Sequence, residues 1–202
     1  MTNTIKAVIF DMGGVLLRTV DPLPRINLAE RFNTSKEELE SVIFMSETSK
    51  LSEVGEISDK QHWEAVFQHF NQQIDDYLLI YNEYFSGDAI DKDLLSFAVS
   101  LKPEHKVGLL SNAWVNSRPL LGARFDFLAA FDVSVFSYEV GCRKPDPQIF
   151  HEILKKMNVS AEESLFVDDF SANVDGAKAI GMQAIHFVDR LNAISVIEAM
   201  LK

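Results

Sequence analysis

Four short segments carry the side chains with the clearest capacity for chemistry. Asp11 follows Ala7-Val8-Ile9-Phe10, and Ser111 with Asn112 follows Val107-Gly108-Leu109-Leu110. Lys144 lies downstream of Val133-Ser134-Val135-Phe136, and the pair Asp168-Asp169 follows Leu165-Phe166-Val167, with Asn173 soon after. A carboxylate can serve as a nucleophile, and a hydroxyl and an ammonium can steady negative charge as it develops. A pair of acids can hold a hard cation. Taken singly, each segment also has an ordinary explanation. Asp11 could cap a loop, Ser111-Asn112 could open a helix, Lys144 could be a solvated charge, and Asp168-Asp169 could cap a helix N-terminus. Taken together they form a coherent set, because three of them come just after an apolar run of strand length and Lys144 lies downstream of a fourth.

The elements that must position this set are legible from the same runs. Together with Ala184-Ile185-His186-Phe187 there are five of them, and four lack polar alternation, as expected of strands covered on both faces. Amphipathic stretches at Gln148 to Met157 and Val174 to Ile180 separate the later runs, and Gly181 fits the residue just past a helix end. Alternating strands and helices predict an α/β fold with a doubly wound parallel sheet. In such sheets ligands bind outside the carboxyl ends of the strands, where the four segments fall.

The stretch 19–101 reads differently, with helix signals and almost no strand signals. Thr34 with Glu37 and Ser58 with Gln61 both have capping-box spacing. Trp63, Val66, Phe67 and Phe70 recur at the spacing of a buried helical stripe, and Ile74 to Phe85 and Asp93 to Leu101 supply further helices. The predicted organisation is an α/β core from 1–18 and 102–202, with an all-helical cap at 19–101 inserted after the first strand.

The ordered segments Phe10-Asp11-Met12-Gly13-Gly14-Val15-Leu16, Leu110-Ser111-Asn112, Arg143-Lys144-Pro145 and Phe166-Val167-Asp168-Asp169 with Asn173 resemble the four motifs of the haloacid dehalogenase superfamily. The resemblance spans Ala7 to Met182 and includes a helical insertion where one type of cap sits in that family. It implies a Rossmann-like hydrolase in which Asp11 is the nucleophile. It further implies that Mg²⁺ is held by Asp11, the main chain of Gly13 and Asp169, with Asp168 and Asn173 orienting those ligands. Ser111, Asn112 and Lys144 would face the substrate, Ser111 donating to a phosphoryl oxygen and Lys144 offsetting charge on Asp11 and on the transferring group.

One departure bears on the reaction. Phosphatases of this superfamily usually carry a second Asp two residues after the nucleophile, as general acid and base, and this chain has Gly13 there. Loss of such help reduces rate by about 10²–10⁴-fold unless another group substitutes. Three readings follow. The first is a phosphomonoester phosphatase acting on a small phosphorylated metabolite, a sugar phosphate among the candidates. The second is a phosphate-ligand-binding or regulatory protein without efficient turnover, and the third is a 2-haloacid dehalogenase, which would need no metal.

Composition narrows the remaining classes. A formal charge of −11 argues against broad contact with a nucleic-acid backbone. No apolar run approaches a membrane span, and Asp11 interrupts the short apolar N-terminal stretch, so the expected location is the cytoplasm. The single cysteine, Cys142, permits no internal disulfide, and the absence of a Walker-type run disfavours nucleotide-driven function. The five histidines are scattered, and His62 with His69 fits a helix-surface spacing better than a metal pair. Arg18 and Trp114 are candidates for the pocket wall, and Arg143 reads as a loop charge.

Overall fold

A computed structural model describes residues 4–202. The strands in chain order are β1 (Ala7–Phe10), β2 (Leu17–Thr19), β3 (Asp88–Ile90), β4 (Lys106–Ser111), β5 (Val133–Phe136), β6 (Ser164–Asp168) and β7 (Gln183–His186). Helices α1 (Leu23–Arg31), α2 (Lys36–Met45), α3 (Glu47–Glu53), α4 (Asp59–His69), α5 (Tyr77–Tyr84) and α6 (Lys92–Ser100) precede β4. After it come α7 (Ser117–Arg124), α8 (Ser137–Val140), α9 (Pro147–Met157), α10 (Ser171–Ala179) and α11 (Arg190–Met200).

Five strands form one parallel sheet in the order β5-β4-β1-β6-β7, so the chain winds outward from β1 in both directions. Successive strand residues point to opposite faces. Val8, Phe10, Val107, Leu109, Leu165 and Val167 enter one apolar cluster, which Leu94 and Ala98 of α6 and Ala193 and Ile197 of α11 cover. Ala7, Ile9, Leu110 and Phe166 enter the other, which Ile149, Phe150, Ile153 and Met157 of α9 cover. Burial on both faces explains why these strands read as unbroken apolar runs rather than alternating ones.

Helices α1, α2, α4 and α5 build a separate cluster from Leu28, Leu39, Ile43, Trp63, Val66, Phe67 and Tyr84, with Trp114 reaching in from the segment after β4. Trp63, Val66 and Phe67 are buried as the stripe predicts, and Phe70 packs on the cluster's edge. The Ser58 capping box forms, with the Ser58 hydroxyl accepting from the Gln61 N–H and the Gln61 side chain accepting from the Ser58 N–H. At α2 the cap is Ser35, one residue beyond the predicted Thr34, and Thr34 instead donates to the Glu38 carboxylate. Both short polar residues can cap, and the register of the buried Leu39 and Ile43 selects Ser35.

Two features of 19–101 depart from an all-helical insertion packed on itself. The short strands β2 and β3 pair antiparallel, with Leu17 opposite Ile90 and Thr19 opposite Asp88, so the two crossings between sheet and helices are tied side by side. Helix α6 packs on the sheet rather than on the aromatic cluster.

Candidate active site

The parallel register decides which residues meet. Phe10 lies level with Leu109 on one side and with Val167 on the other. Asp11 is therefore flanked by Leu110 and Asp168, one position short of Ser111, and its N–H continues the ladder by donating to the Val167 carbonyl at 2.8 Å. Phe166 and Asp168 share one face of β6, and Lys144 approaches from that side, its Nζ 5.3 Å from the centre of the Phe166 ring.

Lys144 is almost wholly buried and spends its three N–H donors on three acceptors. Nζ donates to Asp11 Oδ1 at 2.5 Å, Asp168 Oδ2 at 2.6 Å and the Leu110 carbonyl at 3.0 Å. Burial opposes its charge, but the two carboxylates outweigh burial and hold the ammonium above its ordinary pKa. Burial pushes the Asp11 carboxyl up to about 7, against the pull of Lys144, with Asp168 and Asp169 adding to the rise. Asp169 is raised in the same way, first by burial and then by the charge of Asp168.

Asp168 is saturated. Its carboxylate accepts from Lys144, from the Phe170 N–H at 2.8 Å and from Asn173 Nδ2 at 3.0 and 3.1 Å. In contrast, among the described residues Asp11 Oδ2 and the Asp169 carboxylate accept nothing from another side chain, and the Gly13 carbonyl accepts no backbone hydrogen bond. Carboxylate oxygens of Asp11, Asp168 and Asp169 lie within 4.8 Å of one another. Asp11 and Asp168 share the one ammonium and Asp169 lies beside them, so the group is rich in negative charge, with hard oxygen donors available on Asp11, Asp169 and Gly13. That donor set fits a divalent hard cation such as Mg²⁺.

Gly14 makes the crowding possible. It has φ of +81°, and a Cβ there would lie 2.0 Å from Asp169 Oδ2, whereas a Cβ at Gly13 would meet nothing within 4 Å. Asp169 can sit against the β1 loop only because residue 14 has no side chain.

Two contacts were not readable from residue types. The Asn112 side chain clamps Lys144 by its main chain, Oδ1 accepting from the Lys144 N–H at 2.8 Å and Nδ2 donating to its carbonyl at 3.0 Å. Asn112 thus fixes the loop that delivers the ammonium. Arg143, expected as a loop charge, donates from Nε to Glu53 Oε2 of α3 at 2.5 Å. Trp114 Nε1 donates to Ser49 at 3.0 Å and Asn116 to Asp59 at 3.1 Å, so three polar contacts join the helical segment to the sheet loops. His62 is not on a helix surface as its spacing suggested. It is buried against Trp114, with ring centres 4.8 Å apart, because α4 turns that side toward the segment that follows β4.

A cavity of about 1010 Å³ lies in front of these groups. Asp11, Gly13, Ser111, Asn112, Lys144, Asp169 and Asn173 line its base, and Arg18 and Trp114 are in its wall. Asp168 sits behind, supporting Lys144 and Asn173. Chemically this is a buried carboxylate beside a cluster of cation-compatible oxygens and open to a cavity, an arrangement in which a carboxylate could act as a nucleophile.

The model of the haloacid dehalogenase-like hydrolases matches residues 5–181, and the chain belongs to that family. It is 29% identical over 192 residues to the sesquiterpene phosphatase astK of Aspergillus oryzae, covering 95% of this chain and 94% of that one. It is 27% identical over 197 residues to the D-ribitol-5-phosphate phosphatase of Bacteroides thetaiotaomicron, covering 89% and 90%. The fold is similar to that of a haloacid dehalogenase family enzyme, bt-2542 of Bacteroides thetaiotaomicron, solved with magnesium and inorganic phosphate. That similarity has a TM-score of 0.73 at 21% identity, over 90% of this chain and 93% of that one. Among the described residues no helix is long and apolar enough to cross a membrane.

Proposed function

We propose that this chain is a Mg²⁺-dependent phosphomonoesterase that hydrolyses a small phosphorylated metabolite through an aspartyl-phosphate at Asp11. The observation that carries the reading is the cluster of Asp11, Asp168 and Asp169, the first two bonded to Lys144, with oxygens of Asp11 and Asp169 available to an open cavity. Relatives of nearly the same length act, by their names, on a sesquiterpene phosphate and on ribitol 5-phosphate, which supports phosphate-ester chemistry and leaves the alcohol open.

In this reading the α/β core spans 1–18 and 102–202 and the helical cap 19–101. Asp11, the Gly13 carbonyl and Asp169 would hold Mg²⁺, which when bound neutralises phosphate charge and keeps Asp11 ionised. Asp11 attacks phosphorus, the bond from phosphorus to the alcohol oxygen breaks, and the alcohol leaves with a proton drawn from water. Water then attacks the phosphorus of the aspartyl-phosphate, releasing inorganic phosphate and restoring the carboxylate, and the proton it gives up neutralises the hydroxide left by the first step, so each turnover consumes one water net. Lys144 neutralises Asp11 and the transferring group, Ser111 donates to a phosphoryl oxygen, Asp168 and Asn173 brace the ammonium side, and Asn112 holds the Lys144 loop. The apolar surroundings that lift Asp11 also strengthen each of these contacts.

Hydrolysis of p-nitrophenyl phosphate that requires Mg²⁺, stops in EDTA and disappears in Asp11→Asn supports the proposal; metal-independent release would overturn it. Gly13 favours a second reading, in which a phosphorylated ligand binds with little turnover. Tight Mg²⁺-dependent binding of a phosphate ester without hydrolysis, unchanged in Gly13→Asp, would select it.

A further inference from the structure

Within the phosphatase reading, we infer that the alcohol half of the substrate is a hydrocarbon of substantial size, so that the cavity takes the monophosphate ester of an apolar alcohol and not of a polyol. The cavity of about 1010 Å³ is at the upper end of the size that encloses drug-sized ligands, far more than a phosphate group fills. Beyond the acidic base its wall is built from Phe44, Tyr81, Phe85, Trp114, Leu121 and Phe125. The first rings pack on each other, Phe44 stacking on Trp114 at 5.6 Å and Phe85 meeting Trp114 at 6.2 Å, so they present carbon faces from a rigid wall. Met45 and Phe170, 54% and 51% exposed, continue this apolar lining to the mouth.

Most of the charged residues of that wall are paired, while Arg18 lies 3.8 Å from Asp91 outside it. Arg25 pairs with Glu40 and, through one guanidinium nitrogen, with both oxygens of Asp88, Glu53 takes Arg143, and Arg124 donates to the Asp88 carbonyl. Thr19, Tyr81, Asn82 and Ser117 add a few further polar atoms. A polyol in this space would leave most of its hydroxyls against rings and methyl groups, and each buried hydroxyl without a partner opposes binding. A hydrocarbon chain loses nothing there and gains by leaving water.

The test is a chain-length series on the wild-type protein with Mg²⁺. Straight-chain alkylphosphonates from propyl to decyl, which cannot be hydrolysed at the C–P bond, are titrated by tryptophan emission, Trp114 being in the wall. The corresponding alkyl phosphates are assayed for phosphate release beside D-glucose 6-phosphate and p-nitrophenyl phosphate. Affinity and kcat/KM should rise about two- to fourfold per methylene until the cavity is filled, with decyl phosphate far ahead of the sugar phosphate. A flat series with the sugar phosphate preferred would overturn the inference while leaving the phosphatase reading intact. Chain-dependent phosphonate binding with no ester hydrolysed would uphold the apolar pocket and remove the phosphatase reading. Failure of both series would remove both.

Discussion

Adjacent glycines in the β1 loop allow the site's geometry to be tested with one methyl group. In Gly14→Ala the new Cβ is placed 2.0 Å from Asp169 Oδ2, 2.6 Å from its Cγ and 3.0 Å from Oδ1. Normal nonbonded contact between carbon atoms is about 3.5–4.0 Å, so the carboxylate must retreat by about 1 Å or more. Displacements of that size at a reacting centre cost about 10²-fold in rate, and misplaced metal ligation costs about 10–100-fold in affinity. The residue also sits at φ of +81°, where a side chain adds about 1–2 kcal/mol of strain. Gly13→Ala adds the same atom into open space, with no neighbour within 4 Å. The readout is the comparison of the two variants by Mg²⁺ titration of phosphatase activity, direct Mg²⁺ binding by calorimetry and thermal unfolding. Gly14→Ala should need at least about 10-fold more Mg²⁺ than Gly13→Ala and lose about 10²-fold in kcat/KM relative to it. Equal metal requirements in the two variants would refute the claim that Asp169 must sit against residue 14 to do its work.

Gly13→Asp should raise turnover of esters with poor leaving groups by about 10²-fold or more while changing p-nitrophenyl phosphate little, because only the former need a proton donor; equal effects on both would show that the new acid does not act on the leaving group. Asn112→Ala deletes both side-chain bonds to the Lys144 main chain and should cost about 1–3 kcal/mol in chemical unfolding, with a loss of kcat that Asn112→Asp only partly restores. Wild-type kcat in the alanine variant would sever Asn112 from Lys144 positioning. His62 bears on stability through pH. Burial depresses its pKa from 6.5 to about 4, so the folded state holds it neutral while the unfolded state gains a proton below about 6.5. Its stabilising contribution is complete above that pH and fades as pH falls toward 4, at up to about 1.4 kcal/mol per unit. His62→Phe should flatten the stability profile between these limits relative to wild type in urea unfolding, and an unaltered slope would contradict the assignment.

Much of the sheet was legible because burial on both faces leaves an unmistakable apolar run, and Ala7–Phe10 and Val133–Phe136 have the bounds their composition suggests. The ribbon of β2 and β3 was not, since three residues such as Leu17-Arg18-Thr19 are too short for any periodicity and two of them are exposed. Helix α6 looked like its predecessors in sequence, and only its packing on the sheet separates it from them. At the site, the position of each residue after a strand pointed to Asp11, Ser111 and Asp169, while the work of Asn112 depends on where the 143–145 loop falls, which no local pattern encodes. Glu53 was missed because its partner lies 90 residues away. The spacing of His62 does not reveal its burial, because a helix's outer face and a face pressed on a distant segment such as that of Trp114 share the same spacing.

The proposed reaction requires Asp11 to make a bond to phosphorus with help from a divalent ion. The direct measurement is acid quench of the protein during turnover of a phosphate ester, borohydride reduction of any acyl-phosphate, and mass mapping of the digest. Homoserine at position 11, formed with Mg²⁺ and absent with EDTA or before ester is added, is the predicted result. Phosphate release at full rate with residue 11 unmodified, or reduction at a different carboxylate, would contradict it.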